Sequence, residues 1–329
     1  MKPMSDYLII RLSALGDIVH TIPAYAALRR AHPRARIRWV VERKGKEILD
    51  FVPGLDEVIV RGERGWTRRL RREGQLALDF QGLLKSATIA RLSGAKRRLG
   101  FDRSNLREKA AALFYTEQLD PVPETNHVIA KNTALLRLLG IAPTHAPEFP
   151  LVIPEALVES VCDKVGPATC VGSRDLVVFN VGAAWPTKRW PARKWTALID
   201  DLERDHIHSL LIWGNAEEKA IASVIGRKTE APVAPFLTVR EVMALLRRTM
   251  LLVSGDTFAL HAAGALGVPV VGLFGPTDPA RNGPFRPQDG IVYHEIPCSR
   301  CYKRDCSNTR CMDLIQPDEV AAEVRRALR

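Results

Sequence analysis

Apolar segments of strand length alternate with segments of helical periodicity along most of this chain, and the alternation limits the folds open to it. In the first half, four such pairs occupy 7–12 and 18–31, 36–41 and 44–51, 56–60 and 65–73, and 75–80 and 82–92. Further helices are predicted over 105–116 and 126–139. A strand followed by a helix, repeated, predicts a parallel sheet with helices on both faces.

The same alternation resumes after a proline-dense, aperiodic segment at 140–156. A chain of 329 residues is too long for one ordinary core. We therefore predict two domains, 1–155 and 156–329, each a doubly wound α/β unit, with a C-terminal helix that is free to pack back on the first. Open parallel sheets bind ligands beyond the carboxyl ends of their strands, so two facing units predict a central cleft.

The composition is that of a globular protein, with 46% apolar and 26% charged residues. Asp6 and Arg11 lie in or beside the first apolar stretch, which makes it a poor secretion signal. The most apolar region, 251–275, contains Asp256 and His261, which argues against a membrane span. We expect a cytoplasmic protein whose cysteines are thiols or metal ligands.

Positive charge is concentrated in the first half of the chain. Residues 1–150 contain 26 Lys and Arg against 16 Asp and Glu, whereas residues 151–329 contain 22 against 21. The density is highest at 61–73 and 91–109. Such a patch is suited to a polyanion, an acidic sugar or an anionic membrane. For any single arginine a solvated helix face is the better explanation.

Two carboxylates directly follow strands at the edge where ligands bind. Asp17 comes after the first strand, and Asp256 comes after the apolar run that ends at 254. Each would stabilise its helix by about 1 kcal/mol as a cap. In a ligand site, a carboxylate so placed can instead accept a proton from a substrate hydroxyl. Only Gly16 accompanies Asp17, so the three-glycine pattern of nicotinamide-binding proteins is absent.

Other polar residues at the same edge are suited to a nucleotide. Lys188 lies at a strand-to-helix turn, where an ammonium and backbone N–H groups can hold a phosphate, although loop lysines are more often simply exposed. Thr257 begins a helix whose free N–H groups favour a diphosphate. Glu217 or Glu218 follows a strand and could bind ribose hydroxyls. His261, inside a helix, is predicted to be packed rather than catalytic.

Four cysteines fall within a short segment near the end of the chain. Their spacing is C-x2-C-x4-C-x4-C, and four thiolates this close can surround one tetrahedral ion, zinc or iron. Four free thiols are the alternative. The predicted metal ligands are Cys298, Cys301, Cys306 and Cys311.

With these motifs in order, the chain resembles the bacterial heptosyltransferases, which have the GT-B architecture of two Rossmann-like doubly wound domains facing a central cleft. The resemblance covers nearly the whole length. It rests on IIRLSALGDIVHTIPAYAALRR near the start, LALDFQGLLKSATIARLSGAKRRLGFD at 76–102, AAWPTKRWP at 183–191 and SGDTFALHAAGALGVPVVGLFGPTDP at 254–279.

The resemblance implies an inverting glycosyltransferase that moves heptose from ADP-heptose to the Kdo/heptose inner core of lipopolysaccharide, with no nicotinamide and no obligatory Mg²⁺. Asp17 would be the general base. The donor would contact Thr187, Lys188, Glu218, Asp256, Thr257 and His261. The anionic glycolipid acceptor would contact Arg61, Arg64, Arg68, Arg69, Lys85, Arg97 and Arg98. The enzyme would work at the inner face of the cytoplasmic membrane.

Two segments leave the subfamily open. The segment at 107–115 is similar to enzymes that add the first heptose to Kdo, whereas the cysteine segment is similar to second-heptose enzymes and to iron-containing heptosyltransferases that modify autotransporter proteins. Relatives often have glycine where this chain has Phe258, which indicates a changed approach to the diphosphate or a different donor shape. A nucleic-acid-binding protein is the alternative of another class, but no nucleic-acid-binding motif surrounds the arginines.

Overall fold

The computed structural model describes residues 6–142, 146–166 and 176–329. The chain divides into two units, Met1–Val152 and Ile153–Arg329. The division lies within the proline-dense segment that separates the two predicted domains.

The first unit is built on a parallel sheet of six strands in the order β3-β2-β1-β4-β5-β6. Leu8, Ile9 and Ile10 of the central strand β1 are fully buried, as expected for a strand covered on both faces. The strands are β1 Asp6–Ile10, β2 Arg36–Val41, β3 Glu57–Val60, β4 Leu76–Asp79, β5 Arg97–Phe101 and β6 Glu117–Leu119.

The helices of the first unit differ from the sequence prediction at 18–31, at 105–116 and at 126–139, where the α-helix ends at Ala134 and a 3-10 segment follows. They are α1 Leu15–Val19, α2 Ile22–Ala31, α3 Arg43–Leu49, α4 Trp66–Leu70, α5 Leu84–Leu92 and α6 Val128–Ala134, with 3-10 segments Arg103–Asn105, Lys109–Phe114 and Leu135–Leu139. The helix predicted at 18–31 is two helices, because Pro23 has no N–H to continue the first and is suited to the opening turn of the second.

The prediction of an α-helix at 105–116 is wrong, because the structure has two 3-10 segments in this region. Side chains bind the backbone at both ends of this region and set its path. Asp102 Oδ1 accepts a hydrogen bond from Ser104 N at 2.7 Å. Arg98 Nε donates to the carbonyl of Phe114 at 2.7 Å.

The second unit is built on a parallel sheet of five strands in the order β11-β10-β9-β7-β8. The strands are β7 Leu176–Asn180, β8 His208–Ile212, β9 Leu251–Gly255, β10 Val270–Phe274 and β11 Gly290–Tyr293. Its helices are α7 Glu155–Val165, α8 Ala192–Glu203, α9 Ala216–Thr229, α10 Val239–Leu246, α11 Phe258–Ala265, α12 Pro279–Asn282, α13 Arg310–Asp313 and α14 Pro317–Ala327, with a 3-10 turn Pro186–Lys188.

The C-terminal helix α14 packs within the second unit. Val320, Ala321 and Val324 are fully buried in the same core as Trp195. The helix is part of the core of this unit, and its packing on the first domain stays a prediction. Among the described residues, no helix combines the length and the apolar character that crossing a bilayer requires.

A buried carboxylate at the end of β4 organises the turn into α5. Asp79 is fully buried, and its Oδ1 accepts hydrogen bonds from Gln81 N at 2.9 Å and Gly82 N at 3.1 Å. Its Oδ2 accepts from Ser86 Oγ and Tyr115 Oη, each at 2.8 Å. Burial raises the pKa of Asp79 above its ordinary value, although these hydrogen bonds act to lower it.

The raised pKa of Asp79 predicts how stability depends on pH. The folded protein binds the extra proton more readily than the unfolded chain, so the free energy of unfolding falls as the pH rises from the ordinary carboxyl range through the raised pKa. The loss is about 1.4 kcal/mol for each tenfold difference in proton affinity between the folded and unfolded carboxyl. Asp79→Asn is neutral and retains an acceptor for Gln81 and Gly82, so it abolishes this component.

Urea unfolding of both proteins at a series of mildly acidic to neutral pH values measures the difference. We expect the wild type to lose stability relative to Asp79→Asn as the pH rises. Parallel pH profiles for the two proteins would contradict the assignment.

Candidate active site

Asp17 lies in the first turn of α1, which follows a loop at the carboxyl end of β1 that the neighbouring strand β4 positions. Gln81, two residues after β4, accepts hydrogen bonds at Oε1 from Leu12 N at 2.7 Å and Ser13 N at 3.3 Å. The loop therefore takes its path from a side chain that follows the buried Asp79, and α1 begins directly after it.

A buried arginine holds the Asp17 carboxylate. Arg11 Nη2 lies 2.8 Å from Asp17 Oδ1, and Arg11 Nη1 donates to the carbonyl of Phe80 at 2.6 Å. The Arg11 side chain is 8% exposed, whereas that of Asp17 is 42% exposed. Asp17 Oδ2 accepts a long hydrogen bond of 3.3 Å from Ala14 N. The carboxylate thus closes the first turn of α1 and still presents an oxygen to solvent.

In the second unit, Asp256 follows β9 and binds the side chains of Lys188 and His261. Lys188 Nζ lies 2.6 Å from Asp256 Oδ2 and donates also to the Asp256 carbonyl at 3.2 Å. His261 Nε2 lies 3.0 Å from Asp256 Oδ1. Burial acts to raise the pKa of Asp256, but the hydrogen bonds and charges of His261 and Lys188 outweigh it and hold that pKa far below its ordinary range. His261 is packed, as predicted, and orients Asp256.

A hydroxyl cluster lies at the start of α11. Asn180 Nδ2 donates to Ser254 Oγ at 3.0 Å and to Thr257 Oγ1 at 2.9 Å, and the two hydroxyls are 2.8 Å apart. Thr257 is the N-cap residue, but its side chain does not bind the first turn of α11. Phe258 is the first residue of that helix and is partly exposed. The helix start therefore has backbone N–H groups available for an anion.

The structure distinguishes the two glutamates that the sequence left open. Glu217 is exposed and forms a bidentate ion pair with Arg189, at 2.6 and 3.0 Å. Glu218 is buried and accepts a hydrogen bond at Oε2 from Gly214 N at 2.7 Å. A Cβ on Gly182 would lie 2.2 Å from Glu218 Cδ, so glycine is required there. Glu218 is thus held between the carboxyl ends of β7 and β8.

Cation–π contacts and a hydrogen bond from Thr187 fix the 3-10 turn Pro186–Lys188. Lys188 Nζ lies 4.2 Å from the centre of the Trp185 ring, and the Arg304 guanidinium lies 5.0 Å from the same ring. Thr187 is buried, and its hydroxyl donates to the carbonyl of Lys303 at 2.8 Å. Trp185 and Arg304 were missed by the sequence reasoning, and Trp185 could have been found because it stands in the motif that contains Lys188.

Of the seven basic residues predicted to bind the acceptor, three follow strands at the carboxyl edge of the first sheet. Arg61 and Arg64 come after β3, and Lys85 comes after β4. Glu42 links two of them, at 3.6 Å to Arg61 and 3.1 Å to Lys85. Arg64 is exposed and has no ion pair within the described residues.

Of the other four, Arg69, Arg97 and Arg98 are not brought to that edge. Arg68 and Arg69 lie in α4, and Arg69 pairs at 2.8 Å with Glu57, the first residue of β3. Arg97 and Arg98 begin β5. Arg97 forms a bidentate pair with Glu117, and Arg98 donates to backbone carbonyls. Parallel strands begin at the edge opposite to Asp17, so Arg69, Arg97 and Arg98 have structural roles in the sheet.

The four clustered cysteines do not form a metal site as they are arranged. Cys298, Cys301 and Cys306 are exposed and Cys311 is buried. Burial raises the pKa of the Cys311 thiol, and the charges of Cys301 and Cys298 act in the same direction. Within the described residues, no three His, Cys, Asp or Glu side chains are grouped to hold a metal ion. The bound zinc or iron stays a prediction, which metal analysis of untagged protein tests.

Comparison with known proteins supplies the family context. Residues 64–312 match the family described as Glycosyltransferase family 9 (heptosyltransferase). Lipopolysaccharide heptosyltransferase 1 of Pseudomonas aeruginosa is 31% identical, over 91% of this chain and 87% of that protein. Two structures of the Escherichia coli heptosyltransferase WaaC share the fold, one with ADP and one with ADP-2-deoxy-2-fluoro heptose.

The structure with ADP has a TM-score of 0.79 at 22% identity, covering 98% of this chain and 99% of WaaC. The structure with ADP-2-deoxy-2-fluoro heptose has a TM-score of 0.75 at 21% identity, covering 97% and 99%. The α/β class with two Rossmann-like units of the GT-B architecture is confirmed.

The pair of Lys188 and Asp256 gives a prediction for stability. Both side chains are largely buried, and removing one partner leaves an uncompensated charge. Lys188→Met or Asp256→Asn should each lower the free energy of unfolding by about 3 kcal/mol, and the double variant by no more than either single variant.

The control is Lys164→Met, because Lys164 pairs with Glu241 at the same distance of 2.6 Å on a more exposed surface of the same unit. That change should lower the free energy of unfolding by less than about 1 kcal/mol. Urea unfolding measures all four variants. Equal costs for Lys188→Met and Lys164→Met would show that the pair does not stabilise the site.

Proposed function

The chain belongs to glycosyltransferase family 9 (heptosyltransferase), and from that premise we propose that it transfers heptose from ADP-heptose to the Kdo-containing inner core of lipopolysaccharide. The family makes the chain a glycosyltransferase; the donor, the acceptor and the inverting mechanism are the proposal. The observation that carries it is the arrangement of Lys188, Asp256 and the start of α11 at the carboxyl edge of the second sheet.

This arrangement is suited to a sugar diphosphate. The Lys188 ammonium has three N–H donors, and two of them are used by the carbonyl and carboxylate of Asp256. The third remains for a phosphate oxygen, and the open N–H groups after Thr257 supply further donors. Positive charge at this point would stabilise the departing ADP without an obligatory Mg²⁺.

The carboxylates of the second unit would bind the hydroxyls of the donor. Glu218 is buried beside Gly182, and we assign it to the ribose hydroxyls. Asp256 would accept from heptose hydroxyls, because each carboxylate oxygen can accept more than the one hydrogen bond it has from Lys188 or His261. Its strongly lowered pKa keeps it an acceptor and makes it a poor general base.

Asp17 is the general base in this proposal. Its Oδ1 is held by Arg11, and its Oδ2 has only the long contact with Ala14 N within the described residues, so Oδ2 can accept the proton of an acceptor hydroxyl. The hydroxyl oxygen forms the new bond to C1 of heptose while the C1–O bond to ADP breaks, and the electron pair leaves with the diphosphate. Displacement on the face opposite to ADP inverts the configuration at C1.

We propose the first heptose as the reaction, since the Pseudomonas aeruginosa relative described above is named lipopolysaccharide heptosyltransferase 1. Arg61, Arg64 and Lys85, which lie at the same edge as Asp17, are the basic residues available to the anionic acceptor. Arg68 is exposed in the neighbouring α4 and is kept as a peripheral contact.

Incubation with ADP-heptose and a Kdo-lipid acceptor, read by mass spectrometry, tests the proposal, with UDP-glucose as the control donor. We expect an added heptose only from the ADP donor. Thermal shift with ADP, UDP and NAD provides a second measurement, because a ligand at 100 times its dissociation constant adds about 2.7 kcal/mol of stability. Stabilisation by NAD alone, or tight DNA binding without transfer, would overturn the proposal.

Asp17→Asn removes the proposed base and keeps the shape of the side chain. We expect turnover to fall by a factor of about 10² or more, while ADP binding is unchanged. Asp120→Asn, at an exposed residue of the same unit, is the matched control and should leave turnover unchanged. A variant at Asp17 with near-normal turnover would remove this residue from the role of base.

Arg11 is a positioning residue in the same account. Arg11→Met should lower kcat about tenfold with little change in the KM for ADP-heptose, because the Asp17 carboxylate loses its fixed orientation. Arg11→Lys should recover part of kcat, since an ammonium can replace one of the two guanidinium contacts. A general loss of stability would lower kcat equally in both variants and would argue for a purely structural role.

A further inference from the structure

Three exposed leucines lie on two neighbouring elements of the first unit. Leu84 is 40% exposed, Leu92 is 46% exposed and Leu113 is 82% exposed. Single exposed leucines are ordinary on protein surfaces, but adjacent exposed leucines indicate a surface that a membrane or another molecule covers. The exposed residues of α5 follow helical spacing, with Leu84, Thr88 and Leu92 outward while Ala87 and Ala90 are buried.

The two elements that carry these leucines lie side by side. α5 connects β4 to β5, and the 3-10 segment Lys109–Phe114 lies between β5 and β6, which are the next neighbours in the sheet. Right-handed crossovers in one direction place both connections on the same side of the sheet. The elements pack on each other, and Leu84 N donates to Glu108 Oε2 at 2.7 Å. Their outward side chains therefore form one surface.

The cations around these leucines form no ion pairs with the acidic side chains of the described part of the chain, because Asp102 binds Ser104 and Glu108 binds Leu84 N. Arg91, Lys96, Arg103 and Lys109 are exposed, and none of them forms an ion pair with another described residue. The nearby acidic Glu117 is occupied by a bidentate pair with Arg97. The leucines and these four cations, here called the basic leucine surface, thus combine apolar area with an excess of positive charge.

A cavity opens on the same surface. Its volume is about 270 Å³, and it is lined by Arg103, Lys109, Ala110, Ala112, Leu113 and Gln118. Apolar atoms of Ala112 and Leu113 lie beside two cationic side chains in this lining. Such a pocket matches the chemistry of an amphiphile, which has an anionic head next to hydrocarbon.

We propose that the basic leucine surface docks the enzyme on an anionic lipid bilayer. The inference rests on the proposed function, in which the acceptor is attached to a lipid. Leucines entering the interface and cations attracted to acidic headgroups are the two contributions that hold peripheral proteins on membranes. A nucleic acid would account for the cations and leave the leucines unexplained. A second copy meeting across a two-fold axis would place the same cations against each other.

Vesicle flotation tests the docking surface. The probes are phosphatidylcholine vesicles with and without phosphatidylglycerol, at low and high salt. We expect the wild type to float with the anionic vesicles and to be released by salt. Leu113→Asp should weaken partitioning into the vesicles by about tenfold, because the apolar side chain that would be buried in the membrane interface is lost. Arg103→Gln with Lys109→Gln should weaken it by about fivefold for each charge removed.

Matched controls come from the second unit, where α9 has an exposed Val224 next to exposed Arg227 and Lys228. Val224→Asp, and Arg227→Gln with Lys228→Gln, should leave flotation unchanged. Equal loss in the control variants, or wild-type flotation of Leu113→Asp, would overturn the proposal. Binding of a DNA oligonucleotide in place of vesicles, or self-association abolished by Leu113→Asp without vesicle binding, would also overturn it.

Activity on an acceptor without lipid separates this inference from the proposed function. Leu113→Asp should transfer heptose to a water-soluble Kdo acceptor at the wild-type rate and lose rate only on vesicle-borne acceptor. If the wild type transfers to neither acceptor while the flotation pattern holds, the proposed function fails and the docking surface stands. If transfer occurs but flotation does not depend on the surface, only the docking proposal fails.

Discussion

The pairing of β1 with β4 is the interaction on which the position of Asp17 depends. The register places Ile10 opposite Asp79, so the turn that Asp79 organises lies directly beside the loop after β1. From this turn, Phe80 O binds Arg11 and Gln81 binds the loop backbone. Arg11 then holds Asp17. A fully buried carboxylate thus fixes, through Phe80 and Gln81, the orientation of a carboxylate that solvent can reach.

The second unit places a carboxylate at the corresponding edge and gives it opposite properties. Asp256 is buried and receives a hydrogen bond from each of Lys188 and His261, which lower its pKa strongly. Asp17 is nearly half exposed and has one arginine partner. A carboxylate held so firmly in its ionised form is a good anchor for hydroxyls and a poor proton acceptor. The environments of the two carboxylates, more than the sequence motifs, suit Asp256 to the proposed binding of hydroxyls and Asp17 to the proposed role of general base.

The sequence predicted the elements that depend on local pattern. The central strands of both sheets are continuous apolar runs, and Asp17, Lys188 and Asp256 could be found because each follows one of them. The family resemblance named Glu218, but the residue pattern alone could not decide between Glu217 and Glu218, because the choice depends on Gly182 leaving space beside β7. The buried network of Asp79 was also missed, since its partner Tyr115 is distant in sequence and meets it only through strand order.

The acceptor contacts predicted from charge density stay a prediction, and the structure places their residues at different edges of the sheet. A count of arginines does not reveal which edge of a sheet they occupy, and Arg97 and Arg98 begin a strand where Asp17 follows one. The segment at 105–116 had helical period, but side chains of Asp102 and Arg98 bind its backbone and give it a 3-10 path. Cysteine spacing likewise gives proximity along the chain, and the described side chains do not converge on one point.

In the proposed mechanism, Asp17 acts on the acceptor while the second unit holds the donor. A single-turnover measurement with ADP-heptose already bound tests it most directly, by comparing Asp17→Asn with Lys188→Met. The account predicts that Asp17→Asn binds the donor with wild-type affinity and then transfers it at least about 10² times more slowly, whereas Lys188→Met loses donor affinity. Rapid transfer by Asp17→Asn, or loss of its donor affinity, would contradict the claim.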